Sequence, residues 1–526
     1  MKYQINNFKI SPMDINNLEN IIKNKFHLNN FKYEILLQSI DARDKENVKV
    51  IYNLMIDTNK TLKGNNILEY KEKNYELEYK EYKGIHRPII VGFGPSGMFC
   101  ALYLARCNAK PIIIERGSKI ELRKERVKDF LEKKVLNPNT NIQFGEGGAG
   151  TFSDGKLTTN LKDPLINFII YEFYKHGANK DILYNSKPHI GTDYLEKIVK
   201  NIRLEIESLG GKFYFDTKFV DCKRNNDLLN VKAIDLNTNN ELEFITENLV
   251  LGLGHSAKDT IKDLYNNMGL DICQKPFSMG VRIEHPREYI NMLQYGKFHK
   301  YLPTAYYKLA YHNNDRGIYT FCMCPGGYVM ASQSDNDSIV VNGMSNFNRD
   351  SINSNSAILV DIKTTDYDNG NPLDGIYFQE KYEKLAFSLS KDYKAPANLL
   401  KEFLNDSVAK ELRSVKTTYP HGLKFEDLRK CLPDFVYENL KCGIIEFDKK
   451  LKGFKLDDAI IIGIESRSSS PVRILRDSNR EANFKGIYPI GEGAGYAGGI
   501  TSSALDGLKT AIKIVEWLLW RNFLVG

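Results

Sequence analysis

The sequence predicts an α/β fold in three parts. These are a small N-terminal α+β module over residues 1–85, a parallel-sheet domain built from discontinuous segments at 88–275 and 456–526, and an α+β domain inserted at 276–455. Three observations lead there. The short apolar runs Ile89-Ile-Val91 and Ile112-Ile-Ile114 suit central parallel strands buried on both faces. The first run enters Gly92-Phe-Gly94-Pro-Ser-Gly97 and then a helical stretch, 98–105. At the far end a second strand and glycine turn, Gly486-Ile-Tyr-Pro-Ile-Gly491-Glu492-Gly493, leads into a helix reaching about residue 520.

Composition frames these elements. A chain of 526 residues corresponds to about three or four domains, and 42% hydrophobic with 26% charged residues excludes collagen-like, fibrous and disordered classes. A net charge of +7 is small for this length and demands neither nucleic acid nor an acidic membrane as partner. The opening residues lack the apolar stretch of a signal peptide and no run is long enough for a membrane span, so a soluble cytoplasmic protein is expected. The 8 cysteines are scattered without CxxC or Cys/His ligand spacing, so they read as reduced thiols and no metal site is expected.

The N-terminal module shows a helix over 14–25, with Ile15, Leu18, Ile21 and Ile22 on one face, and strands at 33–39, 49–56 and 67–78. This is a βαββ-type module. The charged stretch 79–87 and the change of composition at Pro88 place a boundary there.

In the first glycine turn each residue has a mechanical reason. Gly92 permits the tight turn, Gly94 lets the backbone approach a pyrophosphate, and Gly97 allows close packing of helix on strand. Pro95 and Ser96 open the helix, whose free N–H groups and positive dipole end face the phosphates. Glu115, with Arg116 beside it, ends the second strand on the order of twenty residues later, where a carboxylate accepts from ribose hydroxyls and repels a 2′-phosphate. The pattern is the Rossmann-type dinucleotide fingerprint.

The C-terminal turn resembles the FAD motif of the glutathione reductase and p-hydroxybenzoate hydroxylase superfamily. That resemblance implies that Glu492, in place of the usual Asp, meets the ribityl chain or pyrophosphate. It also implies that Gly491, Gly493, Gly498, Gly499 and Ile500 bring backbone and a helix N-terminus to the flavin. Leu249-Val-Leu-Gly252-Leu-Gly254 is similar to a third strand and turn of the same domain. With the motifs at 141–157, 187–192, 275–285, 321–327, 465–473 and 491–499, residues 88–526 resemble a bacterial family of predicted FAD-dependent dehydrogenases, which the N-terminal module also accompanies. The resemblance implies a Rossmann-type FAD-binding domain assembled from discontinuous segments, with the α+β substrate domain covering the flavin.

Several residues then become candidates for contact with cofactor or substrate. The glycine-rich loop 141–157 offers Gln143, Gly147, Gly148, Thr151, Ser153 and Lys156, the last able to stabilise negative charge on a flavin; the alternative is a surface loop. A strand through 317–324 puts Cys322 and Cys324 on one face, as redox partners or as small buried hydrophobes. His189, His255 and His285 are possible acids or bases, or satisfied structural contacts. Glu465, Arg467 and Arg473 form a polar segment suited either to an acidic substrate or to internal salt bridges.

The expected activity is that of an FAD-dependent oxidoreductase moving a hydride through flavin N5 to or from a small-molecule substrate, with dehydrogenation, alkene saturation and hydroxylation all open. Gly252-Leu-Gly254 lacks the third glycine of a second fingerprint, so electrons are expected from transiently docked NAD(P)H or from an electron-donor protein. An RNA-modifying or RNA-binding flavoprotein is the alternative. No Lys/Arg run with interleaved aromatics supports it, and nucleic acid is not the expected partner. The oligomeric state is open.

Overall fold

The computed structural model describes residues 1–72 and 75–525, with side chains as far as 518. The N-terminal module is a four-stranded antiparallel sheet ordered Phe31–Asp41, Lys49–Thr58, Lys2–Ile10, Ile67–Glu69. The strand Lys2–Ile10 is not evident from sequence because Asn7, at φ 56°, creates an irregularity between Ile5 and Phe8 that breaks the apolar alternation. The helix is Leu18–Phe26, preceded by a 3-10 turn, Pro12–Asn17, whose first N–H groups are capped by Ser11. Ile5, Phe8, Leu18, Ile22, Val50 and Leu54 form its core.

The strand expected over 67–78 ends at Glu69, and positions 73 and 74 of that stretch lie outside the described residues. The chain then packs onto the next unit. The Tyr79 ring lies 5.5 Å from that of Tyr103, the Tyr79 hydroxyl accepts from Arg106 at 2.8 Å, and the Tyr82 N–H donates to the Cys107 carbonyl at 2.8 Å.

That unit is a five-stranded, wholly parallel sheet ordered Ile487–Pro489, Leu249–Leu251, Ile89–Val91, Ile112–Ile114, Lys212–Tyr214. Its three central strands are apolar because both faces are covered. The strand before Gly252-Leu-Gly254 therefore pairs directly with the strand before Gly92 and belongs to the same sheet. Helices Pro95–Arg106 and Ile500–Val525 lie against each other beneath it, and a Cβ at Gly507 would stand 1.9 Å from the Ser96 carbonyl oxygen, so only glycine allows that approach.

The inserted domain is built on a seven-stranded sheet ordered Ala310–Asn313, Arg316–Cys324, Asn353–Ile362, Phe277–Pro286, Ile460–Glu465, Ala395–Leu399, Leu423–Phe425. Ile460–Glu465 pairs with Phe277–Pro286 here, although sequence groups it with the closing parallel-sheet segment that starts at 456. A short buried isoleucine run reads the same in either sheet, so the inserted domain extends past 455. The N-terminal module docks where the two larger units meet. The Gln38 N–H donates to the Tyr184 carbonyl at 2.7 Å, the Ser186 N–H donates to the Gln38 carbonyl at 2.9 Å, and Leu302 packs against both cores. Among the described residues no helix is long and apolar enough to cross a membrane.

Candidate functional site

One cavity of about 600 Å³ lies between the parallel sheet and the seven-stranded sheet. Gly92, Gly94, Pro95, Ser96, Glu115, Arg116, Gln143, Gly148, Gly252, Gly254, Glu492, Gly498, Gly499 and Ile500 line it, so residues from four distant segments converge as the motifs suggest. Gly97, Gly147, Thr151, Gly491 and Gly493 stand behind the wall and shape it. A Cβ at Gly97 would lie 2.0 Å from the Gly92 oxygen, one at Gly493 2.1 Å from the Leu253 oxygen, and one at Gly147 2.2 Å from the Thr151 hydroxyl.

The donor set suits a dinucleotide. Helices Pro95–Arg106 and Ile500–Val525 both begin at the cavity, the first without a side-chain cap, leaving N–H groups for an anion. Gly94 and Gly148 meet back to back on the floor, where a Cβ on Gly148 would reach 2.9 Å from the Gly94 Cα. Glu115 is buried and accepts from the N–H groups of Phe93, Gly117 and Gly145 at 2.8, 2.9 and 3.0 Å, which aims the carboxylate and leaves about one of its four lone-pair positions for a hydroxyl. Arg116, on the cavity wall, is tied bidentately to Asp259 at 2.8 and 2.6 Å, which braces the turn.

The 141–157 loop is held from beneath by Arg123, which sequence did not single out. Its buried guanidinium donates to the carbonyls of Asn141, Ile142, Gly145, Glu146 and Gly148 at 2.7–3.3 Å. With only remote carboxylates to offset burial, Arg123 is pushed down to about 10. Gln143 links the two units, donating to Ser332 and accepting from Ser256 at 3.1 Å. Asp506, also unsuspected, accepts from the Gly491 N–H at 2.8 Å and binds Arg476 and Arg480, fixing the C-terminal turn.

At the inserted-domain end the wall carries Lys156, Tyr306, Lys308, Cys322, Cys324 and Glu465. The Lys156 ammonium lies 3.2 Å from Asp154 and donates to the Met323 carbonyl. Burial opposes its charge, yet Asp154 and the two thiols raise its pKa. Asp154 is chelated by Arg349 at 3.0 and 2.6 Å; despite burial, Lys156 and Arg349 lower it to about 2.

Both thiols reach the cavity wall, though not by the alternation of a regular strand. An irregularity between Phe321 and Cys324 puts Cys322 at φ 38° and turns it into the cavity, while Cys324 is buried. Enclosing walls push the Cys322 thiol up to about 12, so it is neutral near pH 7.

The histidines separate. His255 lines the cavity with Nδ1 3.3 Å from Glu492 Oε1, and its buried Nε2 has no partner among the described residues. His189 lies behind Lys156, donates to the Phe347 carbonyl at 3.0 Å, and is lowered by burial to about 4. His285 sits in the seven-stranded sheet, donates to the Phe454 carbonyl at 2.8 Å, and is likewise lowered to about 4. Neither of these two lines the cavity.

Of the polar segment, Arg467 is committed to Glu383 at 2.8 Å and Asp335 at 2.7 Å, the internal salt bridge rather than a free anion receptor. Arg473 bonds the Gly495 carbonyl and lies off the cavity. Glu465 is the member of that segment that reaches the cavity without a fully satisfied salt-bridge network. It is buried, opens on the cavity beside Cys322, and accepts from Arg282 at 2.8 Å; burial raises it to about 7 in spite of that cation. A carboxyl in that state can give or take a proton near neutral pH.

The family described as "FAD-dependent protein, C-terminal domain-like" matches residues 276–468, the inserted domain with its last strand. An uncharacterized protein of Clostridium beijerinckii is 44% identical over 98% of this chain and 99% of its own. Among solved structures, a geranylgeranyl bacteriochlorophyll reductase-like protein from Thermoplasma acidophilum matches 85% of this chain and 81% of its own at 10% identity, TM-score 0.37. The FAD complex of glycerol-3-phosphate dehydrogenase from Bacillus halodurans matches 83% and 65% at 10% identity, TM-score 0.35. On the extent and identity of the Clostridium match the chain belongs to the same family as that relative, and its residues 276–468 carry the domain of FAD-dependent proteins.

Proposed function

We propose that the protein is an FAD-dependent oxidoreductase that passes a hydride between flavin and a small-molecule substrate held against the seven-stranded sheet. The observation that carries this reading is the continuity of the cavity from the Gly92 turn and Glu115 to Cys322 and Glu465. When bound, FAD supplies the hydride chemistry itself. The chain's task is binding and placement. Glu115, the N-terminus of Pro95–Arg106 and the Gly94/Gly148 floor would hold the adenosine and pyrophosphate, and Gly498, Gly499 and the start of Ile500–Val525 would receive the flavin. Glu465 exchanges a proton with substrate, and Cys322 is a neutral, polarisable wall.

Because the parallel sheet carries one complete glycine fingerprint, nicotinamide reaches the cavity transiently or a partner protein supplies electrons. Stopped-flow anaerobic mixing with NADH and NADPH tests this: slow or substrate-stimulated reduction is expected. Rapid saturable reduction without substrate, together with tight nicotinamide binding, would contradict it.

A further inference from the structure

We propose that the substrate is a small organic anion whose carboxylate or phosphate is held at the cavity mouth by Lys187 and Lys308; this rests on the FAD-dependent reading above. Three elements bring cations to one ring. Lys308 and Lys156 line the cavity with Tyr306; the Lys187 ammonium lies 4.4 Å from the Tyr306 ring centroid and that of Lys156 5.9 Å from it. Arg349 stands behind them on Asp154.

The charges do not balance. Asp154 is the carboxylate in ion-pair contact with this group, already chelated by Arg349 and paired with Lys156; Asp181 also faces Arg349, and burial raises it to about 6, where its charge is largely spent at low pH. Among the described residues neither Lys187 nor Lys308 has a carboxylate within ion-pair distance. Lys187 and Lys308 are exposed at the rim, and the cost shows at Lys187, lowered by partial desolvation of its ammonium and then by repulsion from Arg349 and Lys308. Cations gathered at one rim repel one another and draw in an anion, which removes the repulsion when it binds.

The rest of the same wall, beside Lys156 and Tyr306, has a different character. Cys322 is neutral, and Glu465 faces inward already matched with Arg282. An anionic substrate therefore sets its charged group on the lysines and its uncharged, reacting part toward Cys322 and Glu465. Lys187 is also held in place: its N–H donates to the Asn185 side chain at 3.2 Å, and Ser186 is pinned to Gln38 of the N-terminal module at 2.9 Å.

Calorimetric titration of the purified holoprotein at low ionic strength tests this with benzoate, succinate and inorganic phosphate against uncharged benzamide. Flavin content is read separately by absorbance, so failure of the cofactor reading and failure of anion binding are distinguishable. At least one anion is expected to bind saturably and benzamide not. Lys187→Gln/Lys308→Gln should weaken that binding about tenfold or more with flavin content unchanged, and Lys187→Arg/Lys308→Arg should restore it. A response to phosphate and not to the carboxylates would assign the anion as phosphate. Binding of none of the three anions, equal binding of benzamide, or an unaltered Lys187→Gln/Lys308→Gln protein would overturn the proposal.

Discussion

The Glu465 carboxylate meets the Arg282 guanidinium at 2.8 Å on the cavity wall, and both side chains are withdrawn from bulk water. Arg282 also donates to Asn355 at 3.0 Å and to the Cys322 carbonyl at 2.8 Å, so the pair supports the bulge that turns Cys322 into the cavity.

A carboxyl raised to about 7 in the folded chain, from an ordinary value of 4.5, favours the folded state at low pH. That stabilisation is complete below the unfolded pKa and is lost as pH rises through about 7. Relative to Glu465→Gln, the wild type should therefore lose about 1–3 kcal/mol between pH 4.5 and 8 in urea unfolding. Parallel stability profiles would show that Glu465 titrates normally.

Glu115 orders three backbone donors from separate segments: Phe93 in the first glycine turn, Gly117 after the second strand and Gly145 in the 141–157 loop. Glu115→Ala leaves those N–H groups buried without partners, at about 1–3 kcal/mol each. The variant is expected to lose most of its FAD on dialysis and to melt at lower temperature. Full retention of FAD would remove Glu115 from the cofactor site.

The glycine turns, Glu115 and the apolar strands were legible in the sequence because their chemistry is local: a strand, a turn and a helix start within a few residues of one another. Cys322 was legible as a residue and not as a conformation, since no sequence signal marks the irregularity that gives it φ 38°. The Arg282–Glu465 pair joins residues 183 apart through the pairing of Phe277–Pro286 with Ile460–Glu465, which periodicity does not reveal. Arg123 was hidden for another reason. It lies in a heavily charged helix, Ile120–Lys133, where burial of one guanidinium is decided by the loop it meets.

Removal of residues 1–71 should leave a flavin-containing protein, because every residue assigned to the dinucleotide lies beyond that point. It also releases Ser186 from Gln38, so anion binding at Lys187 should weaken about tenfold. Extending the cut through residue 85 takes Tyr79 and Tyr82 from helix Pro95–Arg106 and should lower the melting temperature further. Calorimetry and thermal melts of the two truncations check both statements, and unchanged anion binding in the shorter truncation would dissociate the module from the cavity mouth.

The central claim is that the cavity between the two sheets holds one noncovalent FAD per chain. Quantifying the flavin released by acid from the purified protein, with reconstitution of any flavin-free fraction, tests it most directly. The expected result is FAD, one per chain, fully released and taken up again on renaturation. A natively folded chain that carries no flavin and fails to bind added FAD would contradict it.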